Sequence, residues 1–151
     1  MHTRNLSARR AARGVTLIEL LTVIVVLAIL GAIAVTTYRR FTLRANRTDA
    51  TTTLLRVQVA QEKFFLQNNR YASGSTELTA APPAGLGIGV DSAGLTPNGY
   101  YTVTLDAADD THYTVTATAT GRQTDDIAAC HVFTLNEQGT RTPAESSGCW
   151  K

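Results

Sequence analysis

Apolar positions follow three regimes along the 151-residue chain. From Val15 to Val35 they are nearly continuous, interrupted only by the polar residues Thr16, Glu19 and Thr22. At about 1.5 Å of rise per residue this run makes a helix of roughly 31 Å, the thickness of a bilayer core. The segment can therefore span a membrane. From Thr36 to about Asn69 there is no Pro or Gly, and Leu, Arg, Gln, Ala and Glu are frequent. This composition predicts that the same helix continues, to about 55 residues and roughly 80 Å in all. Leu54, Val57, Gln61, Phe64 and Phe65 form one broad stripe at helical spacing. That stripe reads as the face on which a core is built, not as a binding groove. Asn68-Asn69 supply a helix stop.

Beyond Tyr100 the period changes to two. Tyr101, Val103, Leu105 and Ala107 alternate with Thr102, Thr104 and Asp106, and Tyr113, Val115, Ala117 and Ala119 alternate with threonines. Two strands are predicted, with Asp109-Asp110 at the turn between them. A third strand begins near Cys130 with Phe133 and Leu135 inward, and "NEQG" turns into a fourth near Thr140 to Thr142. One face of this antiparallel sheet is apolar and suits the helix stripe. The other is threonine and suits water or another molecule. Between helix and sheet, residues 72–98 are rich in Gly, Ala, Pro and Ser. The "GLGIGV" within them is no phosphate loop, because Val90 holds the last glycine position of G-x-G-x-x-G and no strand precedes it.

The net charge of +2 conceals a segregation. Residues 1–14 carry Arg4, Arg9, Arg10 and Arg13 without an acid, and residues 36–70 carry seven bases against Asp49 and Glu62. From Tyr71 onward three bases, Arg122, Arg141 and Lys151, face nine acids. A basic stem thus precedes an acidic head, which predicts salt-sensitive attraction between the stem and head of any copies that pack together as subunits, and poor affinity of the head for nucleic acid. Cys130 and Cys149 lie 19 positions apart. Outside the cytoplasm they would form a disulfide stabilising the fold by about 3 kcal/mol; in a reducing compartment they would be two thiols.

Catalytic chemistry finds no footing. His112, His131 and the cysteines lack zinc-ligand spacing, and Asp109, Asp110, Asp125 and Asp126 lack the glycine and terminal Glu of a calcium loop. G-x-S-x-G is missing as well. No enzyme activity, metal or cofactor is expected.

Three readings compete at the N-terminus. A secretory signal would end at Ala32-Ile33-Ala34, but the apolar run exceeds the usual signal core. An ordinary membrane anchor leaves Glu19 without a purpose, although an acid in hydrocarbon costs a few kcal/mol and by default marks function or a partner. The third reading comes from Gly14-Val15-Thr16-Leu17-Ile18-Glu19-Leu20 after a short basic leader, which closely resembles the processing signature of type IV prepilins. Departures are Val15 where many pilins begin with Phe, Ala28 where many have Gly, and Thr36 where the family has a helix-kinking Pro. Charge does not settle topology, because Arg39, Arg40, Arg44 and Arg47 closely follow the span.

The resemblance implies an α+β pilin fold: a long N-terminal helix, its first half transmembrane, packed by its second half on a four-stranded antiparallel sheet. It divides the chain into a leader peptide at 1–14, an apolar assembly helix at 15–35, an amphipathic half at 36–69, a connector loop at 70–99, and the sheet with a C-terminal disulfide loop at 100–151. The "GCW" ending and the Cys130 to Cys149 loop resemble type IVa pilins of the PilE-like kind. It further implies that a prepilin peptidase cuts between Gly14 and Val15 and methylates the new amine. That amine, within about 6 Å of axial rise of Glu19, can pair with it or with a neighbour's acid. The implied partners are other pilins, the peptidase and an inner-membrane assembly platform. The chain would be held in the inner membrane with its head in the periplasm, then polymerised into an extracellular pilus. Alternatives are a type II secretion pseudopilin and a secreted β-domain cut after Ala34.

Overall fold

The structure, a computed structural model, describes residues 14–150, the side chains of Ala107 and Ala108 excepted. Except for Gly14, the leader expected at 1–14 lies outside the described residues. The chain separates into two compact units between Tyr38 and Arg39, each treated by itself. Helix α1, Leu17–Asn68, contributes to both.

In the first unit, Gly14 to Thr16 are not helical and α1 begins at Leu17. The Glu19 N–H donates to Thr16 Oγ1 (3.3 Å) and the Leu20 N–H to the Thr16 carbonyl (3.2 Å), so Thr16 is the N-cap. All side chains from Val15 to Val35 are exposed. The helix runs unbroken through Thr36, whose hydroxyl donates back to the Ile33 carbonyl (3.0 Å). Without a proline here, no backbone donor is removed from the helix.

In the second unit, α1 buries Ala50, Leu54, Val57, Gln61 and Phe64, and Phe65 is half-buried at the stripe's edge. The helix stops at Asn69, which adopts φ +53° and donates its N–H to the Phe65 carbonyl (2.8 Å). This left-handed residue is the stop that the asparagine pair predicts. The segment expected as a connector loop is more ordered than its composition suggests. It contains α2, Gly74–Thr79, and delivers Ala72, Leu78, Leu86 and Ile88 to the core. Isolated apolar residues among glycines and prolines carry no period, which is why their burial is not legible in the sequence. Gly94 lets the connector touch the sheet: at φ +77°, a Cβ there would stand 2.3 Å from the Val103 carbonyl oxygen. The Val103 N–H meanwhile donates to the Gly94 carbonyl (2.7 Å).

Four antiparallel strands follow in the order β1-β2-β3-β4: β1 Tyr101–Asp109, β2 His112–Ala119, β3 Val132–Asn136 and β4 Arg141–Thr142. Register places Val103, Ala117 and Phe133 in one row and Leu105, Val115 and Leu135 in the next, all facing the core. On the opposite face Thr104, Thr116, Thr134 and Thr142 line up across all four strands. Cys130 and Cys149 form a disulfide with a Cα separation of 5.5 Å. Beside it Trp150 meets Phe133 edge-on at 5.5 Å.

Candidate assembly site

The first candidate is the apolar run itself. Leu17 is 82% exposed and Val15 70%, and none of the window that qualifies as a membrane span is buried. A helix this long and apolar can cross a membrane by length and composition. Left in water, such a surface exceeds what a soluble monomer exposes, so lipid or other helices must cover it.

Glu19 stands in the first turn of α1, exposed, with no cation beside its carboxylate among the described residues. The Val15 nitrogen is an amide here, joined to Gly14, and so carries no charge to pair with Glu19. The structure adds a local role that the sequence reading lacks. Thr16-Leu17-Ile18-Glu19 has the T-x-x-E pattern of a capping box, of which the Glu19 N–H to Thr16 bond is one half. A carboxylate in the first turn also favours the helix through its dipole.

The second candidate is a clamp that joins the stem's arginines to the C-terminal loop. The Arg47 guanidinium grips the Asp126 carboxylate as a fork, Nε to Oδ2 at 2.6 Å and Nη2 to Oδ1 at 2.7 Å. Their side chains are only 7% and 5% exposed. Arg47 Nη1 also donates to the Gly148 carbonyl (3.4 Å), beside Cys149. Gln123 Nε2 donates to the Leu43 carbonyl (3.0 Å) and to Asp126 Oδ2 (3.2 Å), and the His131 ring meets the Asp126 carbonyl at 2.8 Å. Burial acts to raise the Asp126 pKa, but the Arg47 bonds outweigh it and hold the carboxyl below its ordinary value. Those same bonds raise Arg47. Arg39 pairs with Asp125 at 3.0 Å, in the open. Part of the attraction between basic stem and acidic head, expected between subunits, is thus spent within one chain.

Two further polar contacts fasten α1 to the connector. Buried Asp49 accepts from the Thr96 hydroxyl (2.5 Å) and from Asn98 Nδ2 (2.9 Å). Fully buried Gln61 works as a strand-like partner: its Nε2 donates to the Ala72 carbonyl (2.9 Å) and its Oε1 accepts the Ala72 N–H (2.8 Å). Sequence reasoning missed the clamp and both contacts. The one available signal was Gln61 itself, a polar residue inside an apolar stripe.

Most of the residues weighed for metal chemistry are engaged elsewhere. His112 Nδ1 lies 2.8 Å from Asp109 Oδ1, which also accepts from the Thr111 N–H and hydroxyl at the hairpin turn. Asp125 and Asp126 face arginines, and both cysteines are in the disulfide.

The comparisons agree with this architecture. A model described as "Type IV minor pilin ComP, DNA uptake sequence receptor" matches residues 36–134, and the prokaryotic N-terminal methylation motif matches residues 9–35. The "Type IV major pilin protein PilA" of Myxococcus xanthus (strain DK1622) is 38% identical over 73 residues, 48% of this chain and 33% of that protein. The match spans about a third of that relative's length. A type IV pilin from Shewanella oneidensis shares the fold, with TM-score 0.50 and 24% identity over 72% of this chain and 98% of that one. The chain belongs to the type IV minor pilin ComP family and is a type IV pilin, a structural protein and not an enzyme.

Proposed function

We propose that this pilin is built into a pilus through its Val15 to Val35 helix after its leader is removed. Peptidase cleavage falls between Gly14 and Val15, and methylation on the new Val15 amine. Before assembly the 15–35 segment lies in the inner membrane with the head, 100–151, in the periplasm; afterwards the subunit is part of an extracellular fibre. Its partners are other pilins, the prepilin peptidase and an inner-membrane assembly platform. The carrying observation is the wholly exposed apolar helix with an acid in its first turn, in a segment that matches the methylation motif. In the fibre that surface trades lipid for neighbouring helices, and Glu19 finds the amine of Val15 or of another subunit.

Mass spectrometry of the mature N-terminus is the direct test. Methylated Val15 supports pilin processing, whereas a chain starting at Val35 supports a signal peptide and ends the proposal. Glu19→Ala is expected to leave cleavage largely intact and to impair fibre growth. Normal fibres from that variant would remove Glu19 from the mechanism.

A second reading, reception of DNA during uptake, is favoured by the family's description. Against it stands the excess of nine acids over three bases from Tyr71 onward, which repels phosphate. A gel-shift at low salt decides: tight, salt-sensitive retention of duplex by the pilin establishes the second reading, and free migration of the duplex dismisses it.

A further inference from the structure

The arginines that follow the apolar run do not all find partners. Arg39 holds Asp125 and Arg47 holds Asp126. Arg40 and Arg44 make no ion pair or hydrogen bond among the described residues. Four residues apart on α1, they share one helix face. Both line a cavity of about 700 Å³ whose other walls include Arg47, Asp125, Asp126, Ser147 and Gly148. The two acids at this cavity are already occupied, so the uncompensated charge on its wall is the pair of free guanidinium groups.

We propose that Arg40 and Arg44 form a site for the phosphate of an anionic phospholipid headgroup, occupied while the pilin waits in the membrane. This rests on the reading that residues 15–35 span the bilayer. Three observations converge on that ligand. First, Arg40 follows Val35 by five residues, about 7.5 Å at helical rise, which is the depth of the headgroup layer beyond the hydrocarbon. Second, Cα–Cβ bonds on a helix tilt toward its N-terminus, and arginine stems are long enough to carry their charge to a polar headgroup layer. Third, the charge arithmetic favours one phosphate over a polyanion. A headgroup brings a single charge to two arginines, whereas duplex DNA brings one charge per roughly 1.7 Å and must also pass the acids of the head. Guanidinium groups suit phosphate because their planar donors bond two oxygens at once.

The test uses the full chain in a neutral detergent, offered in separate arms phosphatidylglycerol, phosphatidylcholine, inorganic phosphate and a short DNA duplex, with bound ligand counted by native mass spectrometry. Phosphatidylglycerol should exceed phosphatidylcholine on the unaltered chain. The Arg40→Ala/Arg44→Ala variant should lose that preference by roughly 30-fold, the order expected when two basic contacts to an anionic headgroup disappear. Arg40→Lys/Arg44→Lys should keep most of it, and Arg56→Ala, a basic change elsewhere on α1, should keep all. Equal uptake of the two lipids, an unchanged preference in the double alanine variant, or preferential retention of free phosphate or duplex would each overturn the proposal. Alkaline extraction of the chain from vesicles tests the membrane reading separately. Extraction of the unaltered chain sinks that reading whatever the micelle arms show, while a chain that stays in the vesicles but shows no arginine-dependent lipid preference sinks only the headgroup site.

Discussion

Replacing Arg47 by Ala removes the fork onto Asp126 and the bond to the Gly148 carbonyl. Asp126, 5% exposed, keeps only Gln123 Nε2 and the Ile127 N–H as donors to its carboxylate. Breaking a buried pair in this way costs about 3–5 kcal/mol, because an uncompensated charge remains inside. For a folded unit of this size each kcal/mol is worth about 4 °C, so the melting temperature should fall by roughly 12–20 °C. Denaturant titration followed by the fluorescence of Trp150, the single tryptophan, reads the region directly, since Trp150 packs beside the disulfide on Phe133. The pH dependence sharpens the test. In the native protein the Asp126 pKa is depressed, so its contribution is present above the unfolded value of about 3.9 and is lost as pH falls through the folded value. In the Ala variant burial acts without the arginine and raises that pKa, so acid relieves the variant. The gap between the two proteins should therefore narrow as pH drops from 7 toward 3. Arg47→Met combined with Asp126→Leu should recover most of the loss, because no charge is left buried. A gap below about 1 kcal/mol at pH 7, the worth of an exposed pair, or a gap indifferent to pH would refute the clamp.

Gln61→Leu preserves the side chain's bulk but strips partners from both the N–H and the carbonyl of Ala72; equilibrium unfolding should show a loss of about 2–5 kcal/mol. Replacing Cys130 and Cys149 together by Ser should cost about 3 kcal/mol through the loop of 19 positions that the bridge closes, measurable by the same titration. Burial pushes the Tyr101 hydroxyl up to about 12, so the unfolded chain, at about 10, deprotonates first. Stability, followed by denaturant titration at each pH, should hold below pH 10 and decline between 10 and 12.

Much of this architecture depends on neighbours close in the chain, and that part the sequence determined by itself. A membrane-length helix follows from a nearly continuous apolar run and its end from Asn68-Asn69, while its start at Thr16 is seen only in the structure. The strands and their inward faces follow from a strict alternation of apolar residues with threonine. These are properties of spacings of two to four residues, and the backbone's own periods translate them directly into faces. The clamp belongs to the tertiary structure. Arg47 and Asp126 are 79 residues apart, Asp49 and Thr96 47 apart, and Gln61 reaches Ala72 only because the chain reverses at Asn69. Block charges foretell attraction between stem and head, but not which arginine is consumed inside the fold and which stays free. For Arg47 that choice rests on burial: a guanidinium enclosed by the core must hold its carboxylate, while Arg40 and Arg44, left at the surface, lose nothing by waiting for another anion.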